Sequence, residues 1–160
     1  MSTVIEDSVE SFITQFKPYA ADLELLPGIE GASLVACIAK GKILHFLERT
    51  NPYLAHINRA NIILNPSVKG VNEETSGPKH FEPYTTSAVK AKGIVLERQL
   101  NALVIDAGIP FVVTSFEPIK EAIRSGDWIS FESFAPIHGF ILQPEKKLQY
   151  RREEADVDSI

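Results

Sequence analysis

The hydrophobic positions near the N-terminus repeat with the spacing of a helix. Residues 4–17 have one apolar and one polar face, and Pro18 follows as a stop signal. The apolar face consists of Val4, Ile5, Val9, Phe12, Ile13 and Phe16. The pattern predicts an amphipathic helix that buries this face either against the domain or against a partner chain.

A second helical pattern lies in residues 98–107, between short apolar runs at residues 93–96 and 111–113. Its apolar residues fall at positions i, i+3, i+4 and i+7. These residues are Leu100, Leu103, Val104 and Ala107. Gly108 follows, where a residue with positive φ commonly ends a helix. The segment therefore predicts a strand, a helix, a tight turn and a second strand.

Apolar runs between turn signals predict further strands. Residues 33–39 and 42–48 form two such runs joined by Lys40 and Gly41, a favourable tight turn. Residues 60–65 form another, and residues 128–133 are expected to pair with residues 139–143.

The remaining segments are predicted without strands. Residues 22–28 are interpreted as a connector, and residues 118–124 as one or two helical turns. Residues 67–87 show no periodicity and are interpreted as an irregular loop, either functional or mobile. Mixed strands with few helices predict an α/β fold, a compact layered β/β/α domain with an added N-terminal helix.

The length of 160 residues is that of one domain with a sizeable core. We expect a helix and connector in residues 1–27, the β/β/α domain in residues 28–143, and a charged tail in residues 144–160. Trp128, Phe131 and Phe134 are expected to pack in the core, with an exposed aromatic patch as the alternative.

The net charge of −5, without a basic stripe, argues against nucleic-acid binding. No apolar run approaches the roughly 20 residues of a membrane span, and the acidic, polar N-terminus differs from a signal peptide. These features predict a cytoplasmic protein. Cys37, the single cysteine, lies in an apolar run and is expected to be a buried structural thiol.

Several of these segments together resemble the swivelling phosphohistidine domain, the mobile domain of enzymes that use phosphoenolpyruvate. The similar segments are Gly31-Ala32-Ser33, Gly41-Lys42-Ile43, Asn61-Ile62-Ile63-Leu64, Gly93-Ile94-Val95-Leu96, Gly108-Ile109-Pro110, Ser125-Gly126-Asp127 and Gly139. The resemblance covers residues 28–143 and implies the swivelling β/β/α fold. The swivel domain of aconitase X-type dehydratases is similar in architecture and is the second resemblance.

The phosphohistidine motif of the first family falls on Glu97-Arg98-Gln99, where no histidine is present. A glutamine carboxamide has no nucleophilic nitrogen that could carry a phosphoryl group. The resemblance thus implies a homologue that cannot be phosphorylated at this position. Because helix N-termini favour anions, Glu97, Arg98 and Gln99 become candidates for binding a small anionic ligand, with a solvated helix end as the alternative.

His80, in the segment GPKHFEPY, is the candidate for a displaced phosphoryl acceptor or a general acid–base group, or else a solvated loop histidine. The histidines and the lone cysteine lack metal-ligand spacing, so neither a metal nor a cofactor is predicted.

The first hypothesis for function is a binding or regulatory module, or a non-catalytic subunit of a partner enzyme. The alternatives are a phosphotransfer component that uses His80 and the swivel subunit of a dehydratase.

Overall fold

The computed structural model describes residues 2–28, 33–50, 58–99 and 101–142, with side chains from Ser8 onward. This part of the chain forms one α-helix, a short 3-10 helix and twelve strands. They are α1 (Ser2–Phe16), the 3-10 helix (Lys17–Tyr19), β1 (Ala21–Leu25), β2 (Leu34–Ala39), β3 (Lys42–Glu48), β4 (Arg59–Asn65), β5 (Ser67–Val68), β6 (Asn72–Glu74), β7 (His80–Tyr84), β8 (Ala88–Gln99), β9 (Ala102–Asp106), β10 (Pro110–Ser115), β11 (Trp128–Glu132) and β12 (Ile137–Ile141).

Five strands form a closed barrel in the order β1-β2-β3-β12-β4, and β1 pairs with β4 to complete it. The β2–β3 hairpin turns at Lys40 and Gly41, which have φ values of 48° and 78°. Two successive residues with positive φ match the twist of a two-residue hairpin turn. On β12, a Cβ built at Gly139 would lie 2.0 Å from Cδ2 of Phe46, so the buried Phe46 ring occupies the space beside this glycine.

The other strands form a second sheet in the order β5-β10-β9-β8-β11-β6. The long strand β8 pairs with β11 along one edge and with β7 and then β9 along the other. A bridge between Val68 and Ser133 brings β5 next to the end of β11. The sheet is curved into a half-barrel, and this bridge links β5 to the chain just after β11.

One hydrophobic core runs through both sheets, from Leu23 of the closed barrel to Ile129 of β11. At its centre the Phe111 ring contacts the rings of Phe81 and Phe131, with centroids 5.7 and 6.0 Å away. Because both sheets bury side chains in this core, neither is an independent layer.

The helix α1 packs its apolar face on the outside of the two sheets. This confirms the first of the two predicted alternatives, in which the face is buried against the domain. Phe12 stacks on Phe140 of β12 with ring centroids 4.6 Å apart, and Phe16 is buried against a patch that includes Ile63 and Val104. The helix therefore covers the junction of β4 and β12 with β9 and β10.

The predicted α/β fold is wrong, because residues 98–107 do not form a helix. β8 continues to Gln99, and β9 follows as an antiparallel strand. Gly108 does have positive φ, 107°, but it lies in the β9–β10 turn. Every residue from Ala102 to Ile105 is buried, so the strand lacks the alternation that would distinguish it from a helix. The layered β/β/α swivelling fold implied by the resemblance is wrong for the same reason.

Four further expectations need correction. Residues 21–25 of the predicted connector region form β1, and the predicted loop 67–87 contains β5, β6 and β7. Residues 118–124 form turns and no helix. β11 and β12 do not pair, since β11 belongs to the second sheet and β12 to the closed barrel.

The helix over residues 4–17, the hairpin of residues 33–48 and the strand at residues 60–65 are confirmed. Gly31, Ala32, Leu100, residue 143 and the tail 144–160 lie outside the described residues. In the described part of the chain, no helix has the length and apolar character needed to cross a membrane.

Candidate functional site

The residues predicted to bind an anion lie at the end of β8 and not at a helix N-terminus. Arg98 donates hydrogen bonds to the backbone carbonyls of Ile119, Lys120 and Ile123. Two of these bonds measure 2.7 Å, to Ile119, and 2.8 Å, to Ile123. The guanidinium thus holds the turn at residues 119–123 against β8, an internal structural role.

Glu97 and Gln99 connect β8 to the N-terminal elements. The Gln99 amide donates to Glu97 Oε1 at 3.2 Å and accepts a hydrogen bond from Gln15 of α1. A hydrogen bond between Tyr19 and Glu97 raises the pKa of the Tyr19 phenol, as do burial and the negative charge of Glu97. Because no helix begins at these residues, the N-terminal dipole that was expected to attract an anion is absent. Anion binding at Glu97, Arg98 and Gln99 therefore stays a prediction from the sequence alone.

His80 is exposed at the start of β7, with Nδ1 3.4 Å from the Pro78 carbonyl oxygen. The charged groups beside it in the sequence are engaged elsewhere: Lys79 contacts Asp106 at 2.7 Å, and Glu82 contacts Lys42 at 2.8 Å. Phosphotransfer through His80 therefore stays a prediction. No group of three or more potential metal ligands occurs among the described residues.

A groove of about 400 Å³ lies at the seam where the Val68–Ser133 bridge closes the second sheet. We call it the seam groove. Its lining residues are Lys69, Gly70, Val71, Asn72, Tyr84, Glu117, Glu132, Ser133 and Phe134. Four of them come from residues 69–72, in the part of the chain expected to be an irregular loop.

The floor of the seam groove is held by hydrogen bonds to the buried Ser133. Its N–H donates to the Val89 carbonyl at 2.9 Å, and its hydroxyl accepts from the Val89 N–H at 2.9 Å. The Tyr84 hydroxyl donates to the Ser133 carbonyl at 2.7 Å. These bonds fix the Tyr84 ring and the backbone that leads to Phe134.

Phe134 lines this groove, and the Phe116 ring packs beside it, with ring centroids 5.7 Å apart and planes 32° from parallel. Phe116 is 72% exposed and Phe134 is 47% exposed. Their backbone N–H groups donate to Val68 at 2.9 Å and to Ser67 at 2.8 Å, so the two residues flank β5. We call Phe116 and Phe134 the aromatic pair.

Two carboxylates also line the groove. Glu132 lies 4.0 Å from Lys90, whose ammonium is 5.0 Å from the centre of the Tyr84 ring. Burial raises the pKa of the Tyr84 phenol, and Glu132 adds to the increase. The carboxylate of Glu117 forms no ion pair with any described residue, and its Oε1 lies 2.7 Å from the position that a Cβ at Gly70 would occupy. Gly70 thus leaves room for Glu117 at the edge of the groove.

Sequence reasoning found this site only in part. Phe131 is buried as expected, whereas Trp128 is only partly buried and Phe134 is exposed, which agrees with the alternative of an exposed aromatic. Phe116 was missed, because its position directly after β10 resembles the continuation of a buried strand. The pairing of residues 67 and 68 with two distant segments brings the aromatic pair together, and no local pattern encodes it.

Comparisons with known proteins identify no family for this chain. No family model, no curated protein and no solved structure matches it. The resemblance to the phosphohistidine domain therefore stays a prediction, and the β/β/α fold that it implies differs from the two β-sheets observed.

Proposed function

We propose that this protein is a binding module that docks on a partner protein, as a regulatory or non-catalytic subunit, through the seam groove. The observation that carries the proposal is the exposed aromatic pair at the rim of a polar groove. Burying a phenylalanine side chain contributes about 1.5–3 kcal/mol, and aromatic residues in pockets commonly dominate the energy of protein interfaces.

The hydrogen bonds around Ser133 support the proposal because they order the groove before a partner arrives. Binding to a preorganised surface costs less conformational entropy than binding to a mobile one. Both members of the aromatic pair are also anchored through their backbone N–H groups on β5. The groove thus combines an apolar contact with a rigid frame.

The chemistry of the rim favours an apolar side chain over a sugar. Phenylalanine rings supply apolar area without the hydrogen-bonding group that tyrosine and tryptophan carry. Gly70, Val71 and Asn72 line the groove near Phe134, and a peptide can pair with backbone groups as well as pack on the rings. Binding of an oligosaccharide instead of a peptide is the alternative that the experiment described next distinguishes.

Panning a phage library of random dodecapeptides tests the proposal. The wild-type protein should enrich peptides that the double variant Phe116→Ser, Phe134→Ser does not retain. Ile43→Ser is the matched control, because Ile43 is 51% exposed on the closed barrel, away from the groove. This variant should retain the peptides with unchanged affinity.

Two results would overturn the proposed function. One is that the wild-type protein enriches no peptide. This result would be most decisive if the protein binds an oligosaccharide on a glycan array and this binding requires the aromatic pair. The other is enrichment of peptides that the double phenylalanine variant retains as well as the wild type does. Circular dichroism of both variants verifies that they remain folded.

A further inference from the structure

β6 borders the seam groove with an unpaired edge. It pairs with β11 through Asn72, Glu73 and Glu74, and no other described strand pairs with it. Val71 and Asn72 line the groove together with Phe134, so β6 begins beside the aromatic pair. An edge strand presents unpaired N–H and C=O groups that can pair with another chain.

The other peripheral strands of the second sheet are blocked. β5 is enclosed between β10 and the bridge to Ser133. β7 contains Pro83, which has no N–H to donate, and Lys42 of the closed barrel reaches β7 through Glu82 and the Phe81 carbonyl. β6 has three residues and carries Glu73 and Glu74, so its charge disfavours acidic strands while its outer backbone groups stay unpaired among the described strands.

The charges at this edge select a cationic partner. Glu73 and Glu74 lie on β6, and Glu117 and Glu132 line the groove, where Lys69 is the one basic residue among the described residues that line it. Glu73 contacts Lys120 at 3.5 Å, but both side chains are more than half exposed, so the contact is weak and exchangeable. Glu74 is held by Ser130 at 2.9 Å and Lys92 at 3.5 Å, which orients the strand.

From this juxtaposition we propose that the partner contributes an extended, lysine- or arginine-bearing segment that adds to the free edge of β6 as a further strand. The inference rests on the proposed docking function and specifies its partner. Backbone pairing with residues 72–74 supplies part of the affinity, and basic side chains face Glu73 and Glu117. An apolar side chain at the end of the segment packs on the aromatic pair.

The pleat of β6 sets the pattern of such a segment. Successive side chains point to opposite faces, so Glu73 lies on the face of Ile129, its partner on β11, and Glu74 on the face of Trp128. An added strand has the same alternation, and every second N–H of it faces β6. Strand addition of this kind takes its affinity from the main chain and its specificity from alternate side chains.

The test uses the full chain and a synthetic probe, an acetylated peptide that alternates arginine and valine and ends in phenylalanine. Two derivatives are N-methylated, one at the odd residues and one at the even residues. Strand addition requires that one derivative binds about tenfold more weakly or worse, while the other retains its affinity, because only one set of N–H groups faces β6. Titrations followed by amide NMR should also shift residues 72–74.

Charge is tested with Glu73→Gln, which should weaken binding of the arginine peptide roughly threefold at low salt. Glu121→Gln is the matched control, because Glu121 is exposed on another surface, and it should leave the affinity unchanged. A peptide with glutamate in place of arginine should bind at least tenfold more weakly.

Equal effects of the two methylated derivatives, or preference for the glutamate peptide, would overturn the strand-addition inference. The proposed docking function survives that result if phage-selected peptides still require the aromatic pair. If no peptide binds in either experiment, both proposals fail.

Discussion

His138 of β12 is held as a neutral imidazole in the folded protein. Arg49 Nη1 lies 2.8 Å from His138 Nδ1, and since a guanidinium can only donate, Nδ1 must accept. Burial lowers the pKa of His138 below its ordinary value of 6.5, and the positive charge of Arg49 lowers it further. The unfolded chain therefore binds a proton more readily than the folded one. Stability from this residue is present above pH 6.5 and is lost as the pH falls through the folded pKa.

Replacing His138 with glutamine should reduce this acid sensitivity. Glutamine retains an oxygen acceptor for Arg49 and does not titrate, so the free energy of unfolding should fall less between about pH 7.5 and about pH 5.5 than in the wild type. Urea denaturation at the two pH values measures the difference. His80→Gln is the control, because His80 is exposed. The free energy of unfolding of this variant should have the same pH dependence as that of the wild type. If the free energy of unfolding falls as much in the His138 variant as in the wild type, His138 is not the source of the acid sensitivity.

At the residue scale, several expectations from the sequence are correct even where their elements are wrong. Gly108 has positive φ as predicted, although it turns a β-hairpin and does not end a helix. Cys37 is fully buried, and burial raises the pKa of its thiol to about 12. Both properties depend on short-range chemistry: the positive φ of Gly108 on its lack of a Cβ, and the burial of Cys37 on its apolar neighbours in the sequence.

At the scale of elements, the interpretation of residues 98–107 shows where periodicity is ambiguous. β9 is buried on both faces, so its apolar residues fit helical spacing as well as strand spacing. The β-branched residues Val104 and Ile105 favour a strand, and the segment is short for a helix. These two local signals favour the strand that the structure shows. The amphipathic pattern of α1 was unambiguous because its polar face remains in water.

Removing the Phe16 side chain should loosen α1 more than the rest of the molecule. Phe16 is buried between the helix and the sheets, and truncation of a buried phenylalanine costs about 3–5 kcal/mol. Hydrogen exchange of Phe16→Ala should show faster exchange of α1 amides and nearly unchanged exchange in β2 and β3. Glu10→Ala, at an exposed position of the same helix, should change stability by no more than about 0.5 kcal/mol. Equal acceleration throughout the protein would show that α1 does not open separately.

At the scale of the whole molecule, one core shared by two sheets makes the chain a single cooperative unit. Phe111 has aromatic neighbours on β7 and β11, and the same cluster continues to Cys37 and Leu44 in the closed barrel. Neither sheet can open without exposing apolar surface of the other. We therefore expect both sheets to unfold together.

Two native probes test this expectation. Cys37, the single cysteine, reports on the closed barrel, and Trp128, the single tryptophan, reports on the second sheet. In urea, the labelling of Cys37 by a thiol reagent and the fluorescence of Trp128 should change with one midpoint, because the buried thiol is protected until the shared core opens. Reaction of Cys37 at clearly lower urea than the fluorescence change would show that the barrel opens independently.

Local sequence patterns predict the amphipathic helix, the Lys40-Gly41 hairpin and the strand at residues 60–65, because each of these signals lies within a few neighbouring residues. Long-range packing sets the rest: the fold consists of two β-sheets with a shared core, and β11 and β12 belong to different sheets. It also places three backbone carbonyls around Arg98 and brings the exposed rings of Phe116 and Phe134 together beside the seam groove. The physical reason is that strand pairing and burial are set by partners far away in the chain, and a pattern of local hydrophobicity does not specify those partners.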